Sequence, residues 1–116
     1  VIDDETSILN LVERALTKQG VDVTTSTTSY QALGKIKAGR HYDLVISDYK
    51  LRETLGLSLL SKILLLKPKT KTILMSGSSF TGDEVSQMNI HGYLHKPFEL
   101  RDLKKTVEKV LTEVSL

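Results

Sequence analysis

Apolar positions along this chain recur with two periods, and the two alternate. Behind the acidic run Asp3-Asp4-Glu5, residues Ile8, Leu9, Val12 and Leu16 fall at helical spacing, with Gly20 as the stop. VDVTTS (21–26) sets Val21, Val23 and Thr25 on one side, the pattern of a half-buried strand. Tyr30, Leu33, Ile36 and Lys37 return to helical register and close near Gly39. DLVISD (43–48) contains the unbroken run Leu44-Val45-Ile46, short enough for a strand buried on both faces. The Leu-rich stretch 56–66, ending before Pro68, predicts a helix, and TILMSG (72–77) predicts another buried strand. Residues 82–89 predict a helix with Val85 and Met88 inward, and GYLHKP (92–97) a last strand cut off by Pro97. Leu100, Leu103, Val107, Val110, Leu111 and Val114 mark a long amphipathic helix. Val1-Ile2 read as the end of a first strand, so that strand is expected to be truncated at its amino end.

The resulting order is βαβαβαβαβα with short connections. Strict alternation predicts an α/β domain, with a parallel sheet, helices on both faces and right-handed crossovers. At 116 residues the chain has room for one such core. Composition narrows the functional classes. Hydrophobic residues at 40% and charged residues at 26% are ordinary for a folded domain, and aromatics at 5% with no Trp argue against a base-stacking platform. No Cys is present, which excludes disulfides and thiolate metal sites, and no apolar run is long enough for a membrane span. A net charge of +2 identifies no polyanionic partner.

In open parallel sheets ligands bind outside the carboxyl ends of the strands. Those ends carry Asp3 and Asp4, then Asp48, Ser76 and Lys96, each delivered by the aliphatic run before it. Several carboxylates with backbone carbonyls and water suit a hard divalent cation such as Mg²⁺. A hydroxyl and an ammonium beside that cation make a cradle for phosphoryl oxygens, and a carboxylate can itself be the nucleophile. Chemistry and topology do not choose which Asp is attacked.

With these motifs in order (VIDDE, DLVISDYKL, Gly56, ILMSG and GYLHKPF), nearly the whole chain resembles the receiver domain of two-component response regulators. The resemblance implies a doubly wound five-stranded parallel sheet in the order 2-1-3-4-5, a flavodoxin-like receiver over residues 1–116. The edge place of the second strand suits its half-polar pattern. It further implies that Asp48 is the phosphoacceptor, charged by the phosphohistidine of a sensor histidine kinase or phosphotransfer protein. Mg²⁺ would be held by Asp4, Asp48 and the Lys50 backbone carbonyl, with Asp3 acting through water. Lys96 would pair with phosphoryl oxygens, and Ser76 and Tyr93 would be the switch pair. The Lys96–Pro97 bond is similar to the family's cis peptide. The output would be a changed surface around the fourth helix, fifth strand and fifth helix, offered to an effector domain or to a second receiver. Such modules are regulatory rather than turnover enzymes, bacterial and cytoplasmic, and reach nucleic acid only through a further domain. Two departures stand out. Arg52 occupies a place where the family usually has Pro, and Lys50 sits two positions past Asp48, where phosphoryl lifetime is tuned.

The same residues admit other readings. Asp3-Asp4 could be no more than a helix cap. A phosphatase or phosphotransferase on a similar sheet would want a second carboxylate two places past Asp48, where Lys50 stands. A degenerate receiver used as a binding scaffold would not need all five site positions. His41, His91 and His95 lack metal-ligand spacing and any acid partner nearby in sequence, so they read as surface or packing residues. The basic groups Lys62, Lys67, Lys69, Lys71 and Arg101, Lys104, Lys105, Lys109 read as solvated faces.

Overall fold

The computed structural model describes residues 1–113, and Val114, expected on the last helix, lies outside them. The two uninterrupted apolar runs and GYLH form the paired strands β1 (Leu44–Asp48), β2 (Lys71–Ser76) and β3 (Gly92–His95). They are parallel and lie in the order β1-β2-β3, with Ile46 opposite Ile73 and Met75 opposite Leu94.

The two predicted strands at the other edge are reduced to single parallel bridges, from Ile2 to Ser47 and from Ile2 to Ser26. The Ile2 N–H donates to the Ile46 carbonyl at 2.8 Å, and the Ile2 carbonyl accepts from Asp48 N–H at 2.9 Å. On its other side Ser26 N–H donates to the Val1 carbonyl at 2.9 Å. Across the sheet the order is thus 24–26, 1–3, β1, β2, β3, the predicted 2-1-3-4-5. VDVTTS does not form a full strand, because only its last residues have a backbone neighbour to pair with. Val21 and Val23 pack against the core instead.

Five helices are found among the described residues: α1 (Thr6–Thr17), α2 (Ser29–Lys37), α3 (Gly56–Leu66), α4 (Gly82–Ser86) and α5 (Leu100–Thr112). Alternation along the strands sorts the core into two halves, since successive side chains point to opposite faces. Ile46, Ile73, Met75 and Leu94 face Val12, Ala15 and Leu16 of α1 and Leu103, Val107 and Val110 of α5. Val45 and Leu74 face Ala32 and Ile36 of α2 and Leu59, Leu60 and Ile63 of α3. Each of the Val, Leu, Ile and Met side chains, fully withdrawn from water, contributes about 1.5–3 kcal/mol.

Three expectations need correction. Tyr30 is 75% exposed and takes no part in the inner face of α2. Leu100 and Leu111 lie outside the buried seam of α5. The helix expected over 82–89 stops at Ser86. A capping box starts it, with Thr81 Oγ1 accepting from Glu84 N–H at 3.1 Å and Glu84 Oε1 from Thr81 N–H at 2.9 Å. No residue within α4 is buried, so packing does not extend it, although Met88 beyond its end still touches the α2/α3 half of the core. No helix among the described residues is long and apolar enough to cross a membrane.

Candidate functional site at the carboxyl edge of the sheet

Strand ends deliver Asp3, Asp4, Asp48, Ser76 and Lys96 to one open cleft of about 300 Å³, lined by all of these except Asp3 and also by Lys50, Gly77 and Ser78. Asp3 lies behind it and is wholly buried. One carboxylate oxygen from each of Asp3, Asp4 and Asp48 lies within 4.8 Å of the others. Like charges this close need a cation.

Lys96 supplies part of that charge. Its Nζ donates to Asp3 Oδ2 at 2.7 Å and lies 3.1 Å from Asp48 Oδ1. Burial alone would lower the Lys96 pKa, but the two carboxylates outweigh it and hold the ammonium above its usual range. For Asp48 burial dominates and, with the Asp3 charge, raises its pKa against the pull of Lys96 and the Tyr49 N–H. The peptide bond from Lys96 to Pro97 is cis. The cap reading of the acidic pair is not realised at the helix: Glu5 is the N-cap of α1 and no side chain caps it, although Asp3 Oδ1 accepts the Glu5 N–H at 2.9 Å in the turn just before. Asp4 is half-buried, lines the cleft and meets Arg52, whose Nε is 3.9 Å from Asp4 Oδ2.

The strand that ends at Asp48 closes in a tightly built corner. Tyr49 N–H donates both to Asp48 Oδ1 at 3.0 Å and to the Met75 carbonyl at 2.7 Å, which fixes the Asp48 side chain relative to β2. Gly56 N–H closes the loop on the Tyr49 carbonyl at 2.6 Å. A Cβ at Gly56 would fall 2.0 Å from the Asp48 carbonyl oxygen, so only Gly lets α3 start against Asp48.

Ser76 is buried, and its Oγ accepts from Ser78 N–H at 2.9 Å. That bond uses a lone pair and leaves the hydroxyl proton to be donated. Tyr93 is half-buried, with its hydroxyl 3.4 Å from the Ser78 carbonyl. Sequence reasoning missed what joins Tyr93 to the corner at Asp48. Phe80 stands edge-on to Tyr49 at 5.0 Å and to Tyr93 at 6.3 Å between ring centres. A single aromatic in a loop carries no periodic signal that could have marked it. Of the histidines, His41 does have an acid near in sequence, its Nε2 lying 2.9 Å from Asp43 Oδ1, with both side chains exposed. That corrects the expectation for His41 and adds nothing to the cleft.

The comparisons with known proteins agree with this geometry. A family model described as the response regulator receiver domain matches residues 1–108. The chain is 31% identical over 113 residues to the DNA-binding transcriptional regulator NtrC of Azospirillum brasilense, covering 96% of this chain and 23% of that protein. It is 29% identical to the transcriptional regulatory protein ZraR of Escherichia coli O157:H7, covering 100% of this chain and 26% of that one. It thus spans about a quarter of the length of these curated relatives. Among solved structures, the receiver domain of NtrX from Brucella abortus superposes with a TM-score of 0.87 at 28% identity, covering 97% of each chain. The response regulator TrrA of Thermotoga maritima, solved with Mg²⁺-BeF, gives 0.82 at 31% identity over 94% of each chain. The chain belongs to the response regulator receiver domain family.

Proposed function

We propose that residues 1–116 form one receiver module that takes a phosphoryl group onto Asp48 and works as a signalling switch. The observation that carries this reading is the meeting of three carboxylates with Lys96 in one cleft at the strand ends. The donor is the phosphohistidine of a sensor histidine kinase or phosphotransfer protein. A carboxylate oxygen of Asp48 attacks phosphorus, the phosphorus–nitrogen bond breaks, and the imidazole leaves with its electron pair.

An all-oxygen donor set within 4.8 Å fits a hard divalent cation. Asp4, Asp48 and the Lys50 carbonyl would hold Mg²⁺ directly and Asp3 through water, and the ion would neutralise charge building on the phosphoryl oxygens. Lys96, already bonded to Asp48, pairs with one phosphoryl oxygen. Ser76 donates its free hydroxyl proton to another, which draws the 76–80 loop toward the acceptor. Tyr93, bonded to that loop at the Ser78 carbonyl, changes its packing in response, and the α4–β3–α5 surface changes with it. That surface meets an effector domain or a second receiver. Lys50, rather than a second carboxylate, follows Asp48 by two places, which favours a switch over a turnover enzyme. The setting proposed is the cytoplasm, with nucleic acid reached only through another domain.

The test is incubation with acetyl phosphate and Mg²⁺ followed by intact mass. The chain gains the mass of one phosphoryl group, and Asp48→Asn gains none. No gain with Mg²⁺ saturating, or an equal gain in Asp48→Asn, rejects the assignment.

A further inference from the structure

The loop between β1 and α3 is held at both sides of one residue. Leu51 is buried in the α2/α3 half of the core, and its N–H donates to the Thr54 carbonyl at 3.1 Å. Glu53 Oε1 accepts the Ser29 N–H at the start of α2, a bond that also holds the Glu53 carboxyl below its usual pKa. The short antiparallel bridge from Lys50 to Leu55 closes the base of the loop. Arg52 therefore sits on a loop anchored at both neighbours, and its side chain reaches Asp4 at the edge of the acidic cleft. Its Nε is 3.9 Å from Asp4 Oδ2, with the Arg52 side chain 85% exposed and the Asp4 side chain 26% exposed.

The ion pairs divide the cluster. Lys96 serves Asp3 and Asp48, and Arg52 is the cation paired with Asp4 among the described residues. Three carboxylates against Lys96 and Arg52 leave one net negative charge, and without Arg52 they leave two. From this geometry we infer that Arg52 is a built-in counter-ion for Asp4, one that competes with the divalent cation and so sets its affinity. The inference rests on the proposed Mg²⁺ role of Asp4 and adds to it a residue that the motif-bearing positions do not include. A buried arginine would block the site. An arginine already bathed in water gives up one exposed contact when displaced and is rehydrated almost fully, so it raises the cation concentration required without abolishing binding. The effect is electrostatic at an exposed pair and is therefore salt-dependent.

The experiment is calorimetric titration of the purified chain with MgCl₂, comparing the parent, Arg52→Gln and Lys69→Gln. Lys69 is exposed and precedes β2, at the opposite end of the strands, so its variant makes the same change in net charge far from the cleft. Arg52→Gln is expected to bind Mg²⁺ about two- to fivefold more tightly at low salt, the range that an exposed ion pair is worth. The gain shrinks at about 0.3 M KCl, where the screening length is only a few ångströms, and Lys69→Gln matches the parent throughout. Equal or weaker Mg²⁺ binding by Arg52→Gln at low salt overturns the counter-ion role. An equal gain in Lys69→Gln overturns it too, because the effect would then be one of net charge. If no protein in the set binds Mg²⁺, the metal reading of the cleft fails first and this inference falls with it.

Discussion

Burial and the Asp3 carboxylate oppose the ionised form of Asp48, while Lys96 and the Tyr49 N–H favour it, and the balance leaves the pKa above its ordinary value of 3.8. The folded chain thus holds this proton more tightly than the unfolded one. For an acid raised in this way the favourable contribution is complete below the unfolded pKa and is lost as pH rises through the folded one, so ionised Asp48 costs stability at neutral pH. Without a cation, ionised Asp48 is an electrostatically strained position. Asp48→Asn keeps the shape and can still accept the Tyr49 N–H. In chelator-containing buffer it is expected to melt higher than the parent at pH 7, and to lose that advantage as pH falls through the raised Asp48 pKa, the loss being complete by about pH 4, the ordinary carboxylate value. Thermal melts across that window read the difference. A lower melting point for Asp48→Asn at pH 7 would mean that the Lys96 pair outweighs burial and repulsion.

At the scale of elements, β2 and β3 are joined by one rung that a side chain makes. His91 N–H donates to the Thr72 carbonyl at 2.9 Å, and His91 Nδ1 accepts the Thr72 N–H at 3.0 Å. The ring thus stands in for the next backbone carbonyl of the ladder, and it can do so only while Nδ1 is unprotonated. Burial first, then the Lys71 charge, lower the His91 pKa below 6.5, against a raising influence from Glu113. A depressed pKa on a base means that the folded state prefers neutral imidazole, so this stability is present above the unfolded value and is lost as pH falls through the folded one. Between pH 7.5 and about 5.5, a window set by the ordinary histidine range, the parent should lose more stability in urea unfolding than His91→Asn, whose side-chain oxygen does not titrate. Parallel losses in the two proteins would remove His91 from the account. This rung also shows where sequence reading stops. The buried strands β1 and β2 and the helix α3 over 56–66 were legible, because apolar runs and Pro68 depend on local residues alone. The edge segment 21–26 was not, because a strand exists only where a neighbour offers backbone groups. The end of α4 was not, because it is decided by packing that Val85 does not find. The five residues of the cleft were legible as strand ends, whereas Lys96 bonding to Asp3, the Arg52–Asp4 pair and Phe80 between two tyrosines depend on distances that no spacing encodes.

For the molecule as a whole, the proposed switch requires that a change at Asp48 reach a surface built from elements on the far side of β2. The central strand is a poor messenger, since Ile73, Leu74 and Met75 are fully buried and locked between the two halves of the core. The rim of the cleft offers another route. Tyr49 adjoins Asp48, Phe80 packs edge-on against Tyr49, and Tyr93 on β3 packs edge-on against Phe80 while its hydroxyl donates to the Ser78 carbonyl. Each edge-to-face pair is worth about 0.5–1.5 kcal/mol beyond area burial, enough to bias two arrangements of a loop but too little to hold the fold. Replacing Phe80 by Leu keeps an apolar body in place and removes the ring. The variant should therefore fold and take up phosphoryl on Asp48 like the parent, because Phe80 lines none of the carboxylate cleft. What should weaken is transmission: hydrogen exchange over 82–95, compared with and without acetyl phosphate and Mg²⁺, changes in the parent and changes less in Phe80→Leu. Mass spectrometry of the same samples separates the two steps by reporting phosphoryl uptake directly. An undiminished exchange response in a fully phosphorylated Phe80→Leu would assign the coupling to the Ser76 loop alone, and reduced uptake would place Phe80 in the acceptor corner rather than between it and β3.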